Sequence, residues 1–146
     1  MTFDDRTEKN IATLIPKAQE KAREFMAALK AAGINAKIIS GTRNYDEQDA
    51  LYAQGRTAPG RKVTNAKGGY SNHNFGIAWD IGIFSESNGY LEESPLYDKA
   101  GSIGHAIGLE WGGAWSTFQD KPHFQLKTGL TLGQMRQRVA DGQEIV

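Results

Sequence analysis

The chain has 146 residues, with 17 basic and 17 acidic side chains, three histidines, no cysteine and 39% apolar residues. A domain of that length buries roughly 68–70% of its unfolded surface and needs no covalent staple. The lack of cysteine excludes disulfides, thiol nucleophiles, thiolate metal sites and iron–sulfur clusters, leaving Asp, Glu and His as metal ligands. Zero formal charge argues against a partner held by bulk positive charge, whether nucleic acid or a membrane surface.

No stretch approaches the roughly 18 apolar residues of a membrane span, and residues 1–10 are polar where a signal peptide needs a cationic start and an apolar run. The expectation is a protein made in the cytoplasm, without membrane insertion. Ile11, Leu14, Ile15, Ala18, Ala22, Phe25, Met26 and Leu29 recur at helical spacing. Pro16 divides this pattern into a short helix over 5–13 and a longer one from Pro16 to Ala32, with Gly33 as its C-terminal cap. Residues 34–40 read as a strand and Asp46 to Gln54 as a short helix closed by Gly55. Residues 55–72 are glycine-rich and basic without periodicity, a long surface loop of the kind that usually carries function. A strand over 77–84, a turn-rich stretch over 85–94, a helix from Leu96 to Leu109, a short strand from His123 to Leu126 and a helix from Thr131 to Ala140, whose Leu132, Met135 and Val139 share a face, follow. No repeat or composition break divides the chain, so residues 1–146 are read as a single α+β domain.

Strand alternation puts Ile77, Trp79, Ile81 and Ile83 on a core face and Ala78, Asp80, Gly82 and Phe84 on the other. Asp80 then stands between two of the smallest side chains, facing a hollow, and needs a cation, a basic partner or hydrogen-bond donors. From that strand alone an ordinary ion pair is the simpler account. His73 changes the balance. It lies seven residues upstream, roughly 23 Å away if extended, but Asn74 and Gly76 can turn the segment back. In Asp120-Lys121-Pro122-His123-Phe124-Gln125-Leu126, Phe124 and Leu126 alternate into the core while His123 and Gln125 face away. Two histidines and one aspartate make an N,N,O set with a coordination position left for water.

These residues resemble a known family, the zinc peptidases of peptidoglycan that include D-alanyl-D-alanine carboxypeptidases, dipeptidases and the L-alanyl-D-glutamate endopeptidases of phage endolysins. Ser71-x-His73-x-x-Gly76-x-Ala78-x-Asp80 matches the family's first metal motif and Asp120-x-x-His123 its second. Ser40-Gly41-Thr42-Arg43 with Glu47-Gln48 matches its substrate-side arginine block, and Gly108-Leu109-x-Trp111-Gly112-Gly113-x-Trp115 is typical of the endopeptidase branch. Asn44 stands where many members have a small hydroxyl residue. The resemblance implies helices packed on a short, mainly antiparallel sheet carrying a zinc site, as in zinc D-Ala-D-Ala carboxypeptidases and hedgehog domains. It also implies one zinc ion per chain held by His73, Asp80 and His123, a zinc-activated water as nucleophile and Asp120 as general base. Arg43 would face the substrate's carbonyl or a carboxylate, and Gln48 and Ser71 match substrate-orienting positions. Trp111 and Trp115 line the cleft, support its wall or belong to the core. His105 matches no metal position and reads as structural or exposed.

The expected function is hydrolysis of the peptidoglycan stem peptide, at the L-alanyl-D-glutamate bond. That choice of bond rests on the resemblance. A compact chain without a separate wall-binding domain suits a monomeric single-module lysis enzyme of a phage or prophage, acting on the wall after release from the cytoplasm, and a host-encoded wall-remodelling enzyme would look similar. D-alanyl-D-alanine carboxypeptidase or dipeptidase activity remains an alternative, as does a non-catalytic module that binds wall peptide with zinc as a clip. Structural zinc normally has four protein ligands, which weighs against the clip. Non-haem iron oxygenases also use two histidines and a carboxylate, but with two-residue spacing in a large β-barrel.

Overall fold

Helix α1 (Asp5–Ala12) begins where the Asp4 side chain accepts from the Thr7 backbone N–H, and α2 (Pro16–Ala31) begins on its proline, whose missing N–H costs nothing at a first turn. This computed structural model describes residues 2–146. Helix α2 ends in a left-handed turn: Gly33 has φ +77°, and the Ile34 N–H donates to the Leu29 carbonyl at 2.9 Å. Strand β1 (Ala36–Ser40), helix α3 (Tyr45–Ala53), a 3₁₀ turn at Asn72–Phe75 and strand β2 (Ala78–Phe84) follow. Then come β3 (Tyr90–Leu91), α4 (Pro95–Ala106), β4 (Glu110–Trp111), a 3₁₀ turn at Gly112–Ala114, β5 (His123–Gln125) and α5 (Leu132–Ala140). Among the described residues no helix is long and apolar enough to cross a membrane.

The sheet order is β1-β2-β5-β4, with β3 also on β2, and every pairing is antiparallel. Because β1 takes one edge of β2, β5 and β3 share the other at opposite ends of the strand. Helices α2 and α4 cover one face. There Phe25, Leu29, Ile38, Trp79, Ile81, Ile83 and Phe124 are wholly buried, and the Phe25 and Phe124 ring centroids lie 4.4 Å apart. Truncating one of these, such as Leu29 to Ala, costs about 2–5 kcal/mol. The α+β expectation therefore holds.

Three sequence expectations need correction. Ile77 precedes β2 and packs with Phe75, Ala78, Met135 and Ile145 in a second apolar cluster under α5, because the chain bends at Gly76 before the strand begins. The helix expected to reach Leu109 stops at Ala106: Gly108 turns the chain at φ +91°, and Leu109 caps back on the Gly104 carbonyl at 2.9 Å. In α5, Met135 is buried but Val139 is 48% exposed, so the apolar stripe ends one turn early.

Candidate metal centre and active site

Register builds the first half of the site. Asp80 on β2 is the Cα partner of His123 on β5 and of Ser40 on β1, and its side chain leaves the sheet opposite the buried Trp79 and Ile81. The second half is the Asn72–Phe75 turn, capped by Ser71, whose hydroxyl accepts from the His73 N–H at 3.2 Å. Gly76 ends that turn at φ +73°, where a Cβ would also come within 2.8 Å of the Ile15 side chain, so only glycine fits. This bend collapses the extended separation. His73 Nε2 lies 3.2 Å from Asp80 Oδ2, and His123 Nδ1 lies 3.2 Å from Asp80 Oδ1. The ligand atoms of His73, Asp80 and His123 all fall within 4.8 Å of one another, the one such group of three among the described residues.

The outer ring nitrogens decide whether a cation fits. His73 Nδ1 is 2.9 Å from the Gly41 carbonyl oxygen and His123 Nε2 is 2.7 Å from Gln125 Oε1. Each outer nitrogen therefore donates a proton, and the inner nitrogens turn lone pairs toward the Asp80 carboxylate. Two lone pairs and a carboxylate converging on one point is the donor set of a zinc-type site with an open position. The electrostatics agree. Burial pushes the Asp80 carboxyl up, but the two imidazoles facing it, His123 and His73, outweigh burial and hold Asp80 well below the usual carboxylate range. Burial pulls His123 down, yet the Asp80 bond and charge raise it overall. Both shifts express a preference for positive charge between these groups.

A cavity of about 310 Å³ opens over this set, lined by Arg43, Ser71, Trp115 and Asp120 together with the three ligand candidates, and roofed by Val63, Thr64 and Ala66 of the long loop. Larger hollows of about 510 and 550 Å³ carry no comparable convergence. The Asp120 carboxyl is raised by burial and by the charge of Asp80, with His123, His73 and Arg43 opposing. Gly112 lets the Asp120 backbone pack against it, since a Cβ there would stand 2.3 Å from the Asp120 carbonyl oxygen. Trp115 packs its ring 5.0 Å from that of His123.

Arg43 is half-buried, which lowers its pKa against the pull of Asp80, Glu47 and Asp120. Its Nε donates to Gln48 Oε1 at 2.9 Å and its Nη1 to Ser40 Oγ at 3.3 Å. Gln48 is wholly buried and also donates to the Ala66 carbonyl at 2.7 Å, so it ties Arg43 to the loop. Trp111 likewise stays out of the cavity: its Nε1 donates to the Lys121 carbonyl at 2.7 Å, and the ring lines a separate hollow with Leu109 and the exposed His105. Asn44 caps α3 through the Glu47 N–H at 2.7 Å, a task a hydroxyl residue performs equally well. The sequence left Asn74 as a turn residue, but its side chain donates to the Arg43 carbonyl at 3.0 Å and couples the two halves of the site.

The chain is 37% identical over 123 residues to the peptidoglycan L-alanyl-D-glutamate endopeptidase CwlK of Bacillus subtilis, covering 77% of this chain and 73% of that protein. The family profile described as D-alanyl-D-alanine carboxypeptidase, one of the M15 peptidases, matches residues 64–126. The chain belongs to the M15 family of zinc peptidases. The matched span of this M15 peptidase contains His73, Asp80, Asp120 and His123, while Arg43 lies outside it. Its fold is that of the L-Ala D-Glu endopeptidase ChiX of Serratia marcescens, with a TM-score of 0.63 at 22% identity over 88% of this chain and 92% of that one. The vancomycin-resistance D,D-pentapeptidase VanY, solved in complex with Zn(II), gives a TM-score of 0.57 at 13% identity, over 90% of this chain and 81% of that one.

Proposed function

We propose that this M15 peptidase is a zinc-dependent endopeptidase that hydrolyses the L-alanyl-D-glutamate bond in the stem peptide of bacterial peptidoglycan. The observation that carries this reading is the convergence of two imidazole lone pairs and a carboxylate beneath a cavity that Asp120 and Arg43 also line. The choice of bond is supported by the activities named for CwlK and ChiX.

His73 Nε2, His123 Nδ1 and Asp80 would hold the ion. Bound zinc polarises a substrate carbonyl and lowers the pKa of its water to about 7. Asp120 takes the proton of the attacking water on its carboxylate and returns it to the leaving amine nitrogen. Burial raises the Asp120 carboxyl above its ordinary value, the direction that makes a carboxylate a better proton acceptor. Arg43, fixed through Nε and Nη1, keeps Nη2 free among the described residues for negative charge on the substrate's carbonyl oxygen. Trp115 and the loop residues Val63, Thr64 and Ala66 line the walls of the cavity that would receive the substrate peptide. The biological setting in this reading is lysis from within: synthesis in a cytoplasm, then action on the wall once the membrane is permeabilised, as a phage endolysin does.

Digestion of purified peptidoglycan followed by mass spectrometry tests the reading, run with chelator, without it and after zinc is restored. The expected products carry a new D-glutamate amine, and the chelator abolishes them reversibly. Release of terminal D-alanine instead would reassign the enzyme as a carboxypeptidase, and activity indifferent to chelator would remove zinc from the account.

A further inference from the structure

We infer that Gln125 and Glu110 act as a positioning pair that sets the tautomer of His123, so that this ring meets the metal through Nδ1; the inference rests on the metal centre described above. The His123 ring is 3.2 Å from Asp80 Oδ1 on one side and 2.7 Å from Gln125 Oε1 on the other. A glutamine amide presents either an acceptor or a donor, so on its own it does not decide which ring nitrogen carries the proton. Glu110 decides it. Its Oε2 accepts from Gln125 Nε2 at 3.0 Å, and a carboxylate only accepts. With the amide nitrogen engaged by Glu110, Oε1 must face His123, the proton must sit on His123 Nε2, and the Nδ1 lone pair is left facing Asp80.

The sheet makes this chain rigid. Glu110 and Gln125 are Cα partners across β4 and β5, and Gln125 shares a strand face with His123 two residues earlier. Gln125 and His123 are 7% and 4% exposed, so water does not replace the amide. Glu110 borders the open hollow of about 510 Å³ beside Trp111, which keeps its charge partly solvated and lowers the cost of holding it there. His73 has the other tautomer, protonated on Nδ1, set by the Gly41 backbone carbonyl, whose acceptor is independent of side-chain identity. The device on His123 is built from side chains and is therefore open to mutation.

Zinc affinity, measured on the full chain by competition with a chromophoric chelator, tests the pair. Gln125→Leu should weaken zinc binding by about 10–100-fold while the metal-free protein keeps its circular dichroism. The double variant Glu110→Gln with Gln125→Glu reverses the polarity, putting a carboxylate against His123 Nε2–H and an amide behind it, and should restore affinity to within a few-fold of the parent. In zinc-loaded parent protein, nitrogen-15 NMR should find a slowly exchanging proton on His123 Nε2 that Gln125→Leu loses. Should Gln125→Leu fail to fold, Glu110→Gln alone carries the test, with weaker zinc binding that adding Gln125→Glu recovers. Parental affinity in Gln125→Leu, or in Glu110→Gln with no gain from the second change, overturns the pair while leaving the metal centre standing if His73→Ala binds no zinc. A parent that binds no zinc overturns both.

Discussion

The Gly41 carbonyl oxygen accepts the Nδ1 proton of His73 at 2.9 Å, across 32 residues of chain. Gly41 also lies against α1: a Cβ there would meet the Thr13 hydroxyl at 2.5 Å and the Asn10 carbonyl oxygen at 2.7 Å. Gly41→Ala should therefore push β1 away from α1 and move the carbonyl that orients His73. The expected outcome is a loss of about 1–3 kcal/mol of stability together with weaker zinc binding. Urea denaturation and metal titration measure the two effects separately.

Asp120→Asn should fold and bind zinc as the parent does while losing about 10²–10⁴-fold in turnover, since the amide is nearly isosteric but cannot accept the proton. Parental cleavage of a muropeptide by this variant would remove Asp120 from the reaction.

Arg43 and Gln48 should behave as one unit. Arg43→Ala should lower kcat/KM without abolishing metal binding, and Gln48→Leu should lower it less, by freeing Arg43 Nε and the loop carbonyl of Ala66. Because both act through the same guanidinium, the double variant should fall short of the product of the single effects. Independent, multiplying losses would place Gln48 in a separate role.

Glu8 offers a pH test far from the site. Arg23 Nη1 and Nη2 donate to its two oxygens at 2.9 and 2.7 Å, and with the Phe3 N–H they lower the Glu8 carboxyl from 4.5 to about 2. A depressed folded-state pKa stabilises the fold above the unfolded value, and that contribution fades as pH falls from about 4.5 through about 2. Glu8→Gln should thus lower stability at neutral pH by under about 1 kcal/mol, as expected for a screened surface pair, an effect read as a small drop in Tm. The gap from the parent should close across that acidic window. A gap that persists at the acidic end would show that the loss comes from packing.

The ligand set was legible because each of its members sits beside a strong local pattern: Asp80 in an alternating strand, His73 before a glycine turn, and His123 between residues that alternate into the core. The two-residue strands β3 and β4 were not, since so short a run carries no period. The role of Gln48 was equally hidden. A buried glutamine on a short helix looks like any polar residue until the loop carbonyl of Ala66, 18 positions away, is seen to meet it. The face of Ile77 was misjudged because the bend at Gly76 lies inside the apolar run and restarts the alternation one residue later. Trp111 was ambiguous for a related reason: only in three dimensions does Gly113 prove to be the place where its ring rests, with a Cβ 2.2 Å from the indole.

Trp79 and Asp80 are neighbours on β2, one sealed in the apolar core and the other in the candidate metal site. A single inserted or deleted residue in that strand would exchange them, sending the acid into hydrocarbon and the indole into the cation's place. Length variation among descendants of this gene should accordingly gather in the basic loop and the turn before β3. Within 78–84 it should be absent, and even drift by substitution should keep odd and even positions apart.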